Sequence, residues 1–391
     1  MQKTLLLLFL FLFAEISHAQ QNILSEQAEI SVLTVGPGTS LNDAFGHNAF
    51  RIKDQIHGID DVYGYGEYNF DAPNFYLKFA QGKLNYLINK TDFNKFYQVY
   101  VYYNRTIKEQ VLNLSLSEKQ KLYNFLLNNY KPENRAYLYE FFFDNCATKI
   151  KDVANIALNN TVVFNAPEDF KEASFRTLIQ NNLNRNSWGS LGIDLALGSV
   201  IDKKAGTEDH MFLPENIYNF FDNATIKNGE RSLVKDSRVL FIQKKITEPN
   251  SFLTSPIFIF GIIGLLIIFI TYRDYKNQKQ SKWLDITLFT ITGIIGIVIL
   301  LLWFATDHKG THQNYNLLWA FALNALVIGQ FFREKVRAWF IKYIKLLVIL
   351  LCLLILHWVI GVQVFAIGLI PLLIALFIRY LFLVKYFTQS H

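Results

Sequence analysis

Cysteine is scarce in this chain, because its 391 residues include only Cys146 and Cys352. Cys352 lies inside a long apolar run and cannot easily meet Cys146, so the sequence argues against a disulfide framework. No paired cysteines and no His-x-x-x-His with a carboxylate provide metal-ligand spacing, and no glycine-rich loop is suited to a phosphate. We therefore expect neither a metal nor another cofactor.

Long apolar runs are missing from about residue 20 to residue 250, where charged and aromatic residues mix. A stretch of about 230 residues is long enough to bury a core of its own. Alternating strands are predicted at 30–35, 47–52 and 62–70, and an amphipathic helix at 117–130 follows a capping Ser115. The fold class is therefore α+β for this first domain.

The chain begins with a short basic start and an apolar run that ends in Ser17-His18-Ala19. This pattern predicts a secretory signal peptide at residues 1–19, followed by a soluble domain at 20–250 outside the cytoplasm. No cysteine follows the expected cleavage site, so we do not expect this chain to be a lipoprotein itself.

After residue 250 the composition changes to that of a membrane domain, residues 251–391. Five apolar segments approach or reach the length of a transmembrane helix. They are predicted at 255–272, 284–305, 315–332, 343–360 and 362–384. The second domain is therefore expected to be all-α, with about five transmembrane helices.

Basic residues cluster in two loops of this region, at 273–282 and 333–337. With the first domain outside the cytoplasm, both loops fall on the cytoplasmic side, as the positive-inside rule requires. The formal charge of +6 is then explained by anionic headgroups, and nothing in it calls for nucleic acid. We expect a multi-pass protein of a bacterial inner membrane with the first domain in the periplasm.

Cys146 is the only cysteine of the first domain, and it follows the aromatic run Phe141-Phe142-Phe143 and the pair Asp144-Asn145. The aromatic run indicates a buried strand or a hydrophobic wall. The residues after Cys146 have helical spacing, so the thiol would lie at a helix N-terminus, where free amides favour a thiolate. A small core residue is the ordinary alternative for a lone cysteine.

His47 enters an alternating segment after Gly46, and it is the histidine that we expect to act as base for Cys146. A satisfied surface or core histidine is the alternative. A thiol and a base facing a membrane could attack a carboxylic ester and pass the acyl group to an amine without a cofactor. A membrane-tethered thiol hydrolase of peptides or amides, and a non-catalytic chaperone for secreted proteins, remain open.

Four segments resemble the lipoprotein N-acyltransferases of the Bacteroides type, the Lnb family. They are Phe45-Gly46-His47-Asn48-Ala49-Phe50-Arg51-Ile52, Pro73-Asn74-Phe75-Tyr76-Leu77-Lys78-Phe79, Phe142-Phe143-Asp144-Asn145-Cys146-Ala147-Thr148 and Met211-Phe212-Leu213-Pro214. The histidine-before-cysteine order is similar to that of circularly permuted papain-like enzymes. The resemblance implies a permuted papain-like periplasmic domain joined to a helical membrane domain.

The same resemblance implies the reaction and its partners. Cys146 would take an acyl chain from a phospholipid with His47 as base, and the acceptor would be the amine of a diacylglyceryl lipoprotein. No trusted motif identifies the group that orients the histidine or stabilises an oxyanion, and the candidates are Asp71, Asp144 and Asn145. Candidate substrate contacts are Arg51, His308 and His312.

Overall fold

The computed structural model describes residues 23–227, 229–245 and 252–389. These residues form a mixed α/β part followed by a helical part, as the sequence predicts. The expected signal peptide, residues 1–19, and the expected boundary at residues 250 and 251 lie outside the described residues.

The α/β part is built on a seven-stranded sheet whose neighbouring strands are all antiparallel, in the order β10-β5-β1-β2-β3-β4-β6. A second sheet has the order β7-β8-β9. The strands are β1 Glu29–Val35, β2 His47–Asp54, β3 Ile59–Tyr68, β4 Asn85–Asp92, β5 Ile107–Leu112, β6 Ala136–Leu138, β7 Val162–Val163, β8 Thr225–Ile226, β9 Arg231–Ser232 and β10 Val234–Phe241.

Seven α-helices accompany these sheets within the described part of the chain. They are α1 Phe75–Gln81, α2 Phe93–Tyr102, α3 Leu116–Asn129, α4 Cys146–Ala157, α5 Phe175–Gln180, α6 Trp188–Ala196 and α7 Pro214–Asp222. The predicted cap of α3 is confirmed, because the Ser115 hydroxyl accepts a hydrogen bond from the Glu118 amide in a capping box.

The large sheet carries a core on each face. Phe50 and Tyr63 of the sheet pack in one cluster with Leu122 of α3, Ile150 of α4 and Phe221 of α7. On the opposite face, α2 covers a smaller cluster with Phe96. The helix that begins at Cys146 is therefore fixed against the strands by burial of apolar side chains.

Among residues 252–389, which the structure describes, four helices are long and apolar enough to cross a membrane. They are α8 Pro256–Lys276, α9 Lys282–Phe304, α11 Ala338–Val359 and α12 Ile370–Gln389. These confirm four of the five expected spans as helices. The last helix begins at Ile370 and not near residue 362, because residues 361–366 form a loop that binds the α/β part.

The third expected span, residues 315–332, is not one helix, and this corrects the prediction. It consists of the 3₁₀ turn Tyr315–Leu318, the short helix α10 Asn324–Val327 and the 3₁₀ segment Ile328–Phe332. Hydropathy detects apolar composition but not backbone hydrogen bonding, so it could not distinguish this broken segment from a helix.

Candidate active site

Cys146 is the first residue of α4, as the sequence predicts. Asn145 caps the helix, since its Oδ1 accepts hydrogen bonds from the amides of Ala147 at 2.8 Å and Thr148 at 2.9 Å. Its Nδ2 donates to the carbonyl oxygens of Phe141 and Phe212, each at 2.8 Å. Because this amide side chain is fully engaged, Asn145 positions the cysteine and does not orient the histidine.

The aromatic run before Cys146 forms a wall and not a strand. Glu140 and Asp144 exchange backbone hydrogen bonds across a tight turn, at 3.1 and 2.8 Å. Phe142 points into a buried cluster that includes Phe175 and Phe212. This turn directs the N-terminus of α4 towards one end of the large sheet.

Cys146 is partly buried, and its thiol lies next to backbone amides. Burial raises the pKa of the thiol, and hydrogen bonds from the backbone amides of Asn48 and Ala147 only partly offset that effect. The thiol is therefore protonated at neutral pH. Helix placement alone does not activate it, and a base is needed to generate the thiolate.

His47 is the first residue of β2, where Gly46 makes the turn with a φ of 84°. A side chain at position 46 would also approach the Val35 carbonyl oxygen to 2.6 Å, which explains why glycine precedes the histidine. Burial, followed by the positive charge of Arg105, lowers the pKa of His47 to about 4, against an opposing effect of Asp43. The imidazole is therefore neutral at pH 7 and able to accept a proton.

The structure brings the two predicted residues to the same end of β2. The paired register of β2 with β3 begins at Ala49 and Gly64, so Asn48 and His47 lie just beyond it. The backbone amide of Asn48 lowers the pKa of the Cys146 thiol. The start of β2 therefore lies near the start of α4.

Two glycines of β3 leave room for these side chains. A Cβ atom at position 64 would lie 3.2 Å from His47 Nε2, and one at position 66 would lie 3.9 Å from Cys146 Cβ. A cavity of about 290 Å³ opens here, lined by His47, Tyr100 and the strand from Gly64 to Glu67. A reacting ester could enter at this point, since the smallest residues stand beside both functional groups.

Arg105 and Asp43 are the charged groups that act on His47, and the sequence did not point to either. Arg105 donates from Nε to the Gly36 carbonyl oxygen at 2.9 Å and forms an ion pair with Asp43 at 3.3 Å. Its guanidinium lies 4.9 Å from the centre of the Tyr100 ring, and that ring stacks with His47 at 6.5 Å. These contacts join segments far apart in the chain, so residue spacing carried no signal for them.

The other predicted orienting groups lie elsewhere. Asp144 forms an ion pair with Lys149 at 2.6 Å. Asp71 is exposed in the turn before α1, where its amide donates to Asn69 at 3.2 Å. Within the described part of the chain, the structure shows no contact of either carboxylate with His47.

Arg51 is a buried structural residue, which argues against its expected contact with substrate. Its guanidinium pairs with Asp60 at 2.7 Å and with Glu109 at 3.1 Å, and it lies 3.2 Å over the Phe93 ring. A substrate would have to displace both carboxylates to reach it.

His308 and His312 belong to the segment that follows α9, residues 305–316, which packs against the α/β part. His308 Nε2 lies 3.1 Å from the Phe79 carbonyl oxygen at the end of α1. His312 is partly buried, and its carbonyl oxygen contacts Gly198. Both histidines therefore contact the α/β part, and any substrate contact by them stays a prediction.

Three polar side chains hold the segment after α9 and the loop before α12 against the α/β part. Asn314 donates to the Leu195 carbonyl oxygen at 2.7 Å, and Asn316 donates to that of Asp194 at 2.9 Å. Asp202 accepts a hydrogen bond from the Val364 amide at 3.1 Å. Arg176, which is buried, pairs with both of these aspartates at 2.8 Å and fixes the docking surface.

No group of three His, Cys, Asp or Glu side chains suited to a metal ion occurs among residues 23–227, 229–245 and 252–389.

Comparison with protein families gives two matches. The Lnb N-terminal periplasmic domain matches residues 15–181, and the Lnb transmembrane domain matches residues 247–390. The chain belongs to the Lnb family. This Lnb-family chain is accordingly a membrane protein with a periplasmic domain. The strands β8 to β10 continue that domain beyond the matched residues, since β10 pairs with β5.

No curated protein matches the chain, and no solved structure matches it. The similarity to permuted papain-like enzymes consequently stays a prediction. The structure is compatible with it in one respect, because the histidine strand precedes the cysteine helix and both meet at one end of an antiparallel sheet.

Proposed function

We propose that this Lnb-family chain is a membrane-bound acyltransferase. It moves a fatty acyl chain from a phospholipid, through a thioester on Cys146, to the N-terminal amine of diacylglyceryl-cysteine lipoproteins. The observation that carries the proposal is that Cys146 and His47 both lie beside the glycines of β3, Gly66 and Gly64 respectively, in a domain that is hydrogen-bonded to a part of the chain with long apolar helices.

In the first half of the reaction, neutral His47 removes the proton from Cys146 and the thiolate attacks the ester carbonyl carbon of the phospholipid. The backbone amides of Asn48 and Ala147, which lower the pKa of the Cys146 thiol, are the groups that stabilise the oxyanion in this proposal. Collapse of the tetrahedral intermediate breaks the carbon–oxygen bond. The departing lysophospholipid takes the proton from His47 and leaves the acyl group on Cys146.

In the second half, the lipoprotein amine attacks the thioester carbonyl. An α-amino group has a pKa of about 8, so an appreciable fraction is unprotonated at neutral pH. His47 accepts a proton from the attacking nitrogen and returns it to the sulfur as the carbon–sulfur bond breaks. The products are an amide and the original thiol, so no cofactor is consumed.

We place the protein in a bacterial inner membrane, with both basic loops in the cytoplasm. Two observations support this orientation. Lys282 and Arg333, one from each basic loop, line the same cavity of about 220 Å³ at one end of the bundle. Asn314 and Val364 bind the periplasmic domain, so they belong to the opposite end.

The first test is mass spectrometry of the N-terminal lipopeptide of a model lipoprotein. Cells lacking the protein are complemented with wild type, Cys146→Ala or His47→Ala, each at matched expression. We expect only wild type to add one acyl chain at the amine, because each substitution removes a group that forms or activates the thioester.

Unchanged acylation in all strains would reject the transferase and bring forward a thiol hydrolase, which uses the same two residues with water as acceptor. Acylation that needs the protein but survives Cys146→Ala would instead indicate a chaperone of the true enzyme.

A further inference from the structure

We propose that α1 and the turn before it form a membrane-inserted element that contacts acyl chains in the outer leaflet of the bilayer holding the apolar helices. We call this the aromatic patch, and it consists of Tyr68, Phe70, Tyr76, Leu77 and Phe79. Its occupant is lipid, and the contact does not depend on the proposed chemistry.

The aromatic patch exposes large apolar side chains in a way that a water-facing loop rarely does. Phe70 is 71% exposed, Tyr76 is 83% exposed and Leu77 is 57% exposed. Helix α1 buries none of its seven residues. Clustered exposed apolar residues of this kind mark an interaction surface.

The rings of the patch pack on one another and on neighbouring rings, and Tyr68 also packs on the buried Tyr86 of β4 at 4.8 Å. The ring centroids of Tyr68 and Phe70 lie 5.5 Å apart, and Phe70 lies 5.0 Å from Phe75 of α1. Lys78 and Lys83 flank these apolar residues. Aromatic rings beside lysines are typical of segments that lie at the headgroup level of a membrane.

The position of the patch identifies lipid as its occupant. The Asp307 amide donates at 2.8 Å to the carbonyl oxygen of Gln81, the last residue of α1, and His308 contacts Phe79 of α1. Asp307 lies three residues after Phe304, the last residue of α9, which is 72% exposed. Helix α1 is thus hydrogen-bonded to the segment that follows α9, close to the point where the exposed surface of that membrane helix ends.

The patch also adjoins the candidate active site. Tyr68 lies two residues after Gly66, whose missing Cβ would contact Cys146. A lipid held by the patch would therefore have its ester group near the entrance that β3 lines. This consequence rests on the proposed function, whereas the membrane contact does not.

A depth measurement tests the contact with a matched control inside the same chain. Leu77→Cys carries a spin label in the patch, and Ile56→Cys carries one in the turn at the far end of β2. Their native side chains are 57% and 60% exposed, respectively. Both variants are made with Cys146→Ser and Cys352→Ala in the full chain, with one molecule in each phospholipid nanodisc.

We expect the Leu77 label to collide with oxygen, which concentrates in lipid, and to be protected from a water-soluble nickel chelate. The Ile56 label should show the reverse. Nickel accessibility at Leu77 equal to that at Ile56 would overturn the proposal, and a protein partner or a second copy would then be the occupant to seek.

A second measurement links the patch to lipid use. Tyr76→Ser with Leu77→Ser should lower kcat/KM for bilayer phospholipid about tenfold, because loss of two large apolar contacts weakens lipid binding by at least that factor. Turnover of a short-chain ester in solution should be unchanged, and Ile56→Ser should match wild type with both substrates.

Equal loss with both esters would contradict a specific role in lipid contact. If wild type cleaves neither ester, the proposed function fails, while the spin-label result still decides whether the patch is inserted.

Discussion

His47 sets the pH dependence expected of the candidate site. Its pKa of about 4 reflects burial first and the Arg105 charge second, with Asp43 acting in the opposite direction. A neutral base is required, so we expect kcat/KM for the phospholipid, which reports the acylation half of the reaction, to hold through mildly acidic pH and to fall as the pH approaches about 4.

Arg105→Gln should move that acidic limb to higher pH. Loss of the positive charge makes the imidazolium less unfavourable, so the pKa of His47 rises. The measurement is the pH profile of kcat/KM for phospholipid. Arg105→Lys keeps the charge and should return the limb towards its wild-type position. A uniform loss of activity at every pH, with no shift of the limb, would mean that Arg105 only supports the fold.

Asn145 illustrates what the residue types of a segment reveal and what only its tertiary contacts reveal. The helical spacing of the residues after Cys146 correctly predicted a helix start, because periodicity is a local property of the chain. It could not show whether Asn145 faces the cap or the substrate. The bonds from its Nδ2 to Phe141 and Phe212 decide this, and Phe212 comes from a distant segment.

Among the elements, the broken segment between α9 and α11 depends on glycines of α9. A Cβ atom on Gly293 or Gly296 would clash with the backbone of Ala325 or Ala320, respectively. Asn324 donates to Thr292 at 2.8 Å, so a polar group of this segment is satisfied by the neighbouring helix. Irregular backbone is tolerated at membrane depth when neighbouring protein covers it.

Gly296→Ala should therefore destabilise the helical part. Overpacking of this kind costs about 1–3 kcal/mol, and we expect a lower midpoint of thermal unfolding in detergent, followed by circular dichroism. Gly261→Ala on α8 is the matched control, because a Cβ there meets nothing within 4 Å. Equal midpoints for the two variants would show that α9 and the broken segment are not in tight contact.

For the whole molecule, the decisive feature is the docking of the periplasmic domain onto the helical part. The amides of Gly198 and Ser199 donate to the carbonyl oxygens of Gly310 and Gln313, at 2.9 and 3.0 Å. Gly198 lies against the His312 carbonyl oxygen, where no side chain fits. The orientation of the candidate site relative to the membrane depends on this interface.

Gly198→Ala should loosen the interface without changing the cysteine helix. We expect faster amide hydrogen exchange in peptides from 195–202 and 308–316, and unchanged exchange in 146–157, because the clash is confined to the docking surface. Gly192→Ala, on α6 with open space around it, should exchange like wild type. Unaltered exchange at 195–202 in Gly198→Ala would contradict close packing of Gly198 against the helical part.

The sequence by itself determined the class of this protein, four of its long helices, the helix start at Cys146 and the strand start at His47. These features follow from composition, periodicity and capping, which depend on residues close together in the chain.

Only the tertiary structure decided that Cys146 and His47 lie beside the glycines of β3, that burial raises the pKa of the thiol and lowers that of the imidazole, and that the third span is broken. Desolvation and backbone pairing depend on which distant segments pack together. Residue spacing does not encode that information, so these properties could not be predicted from the sequence alone.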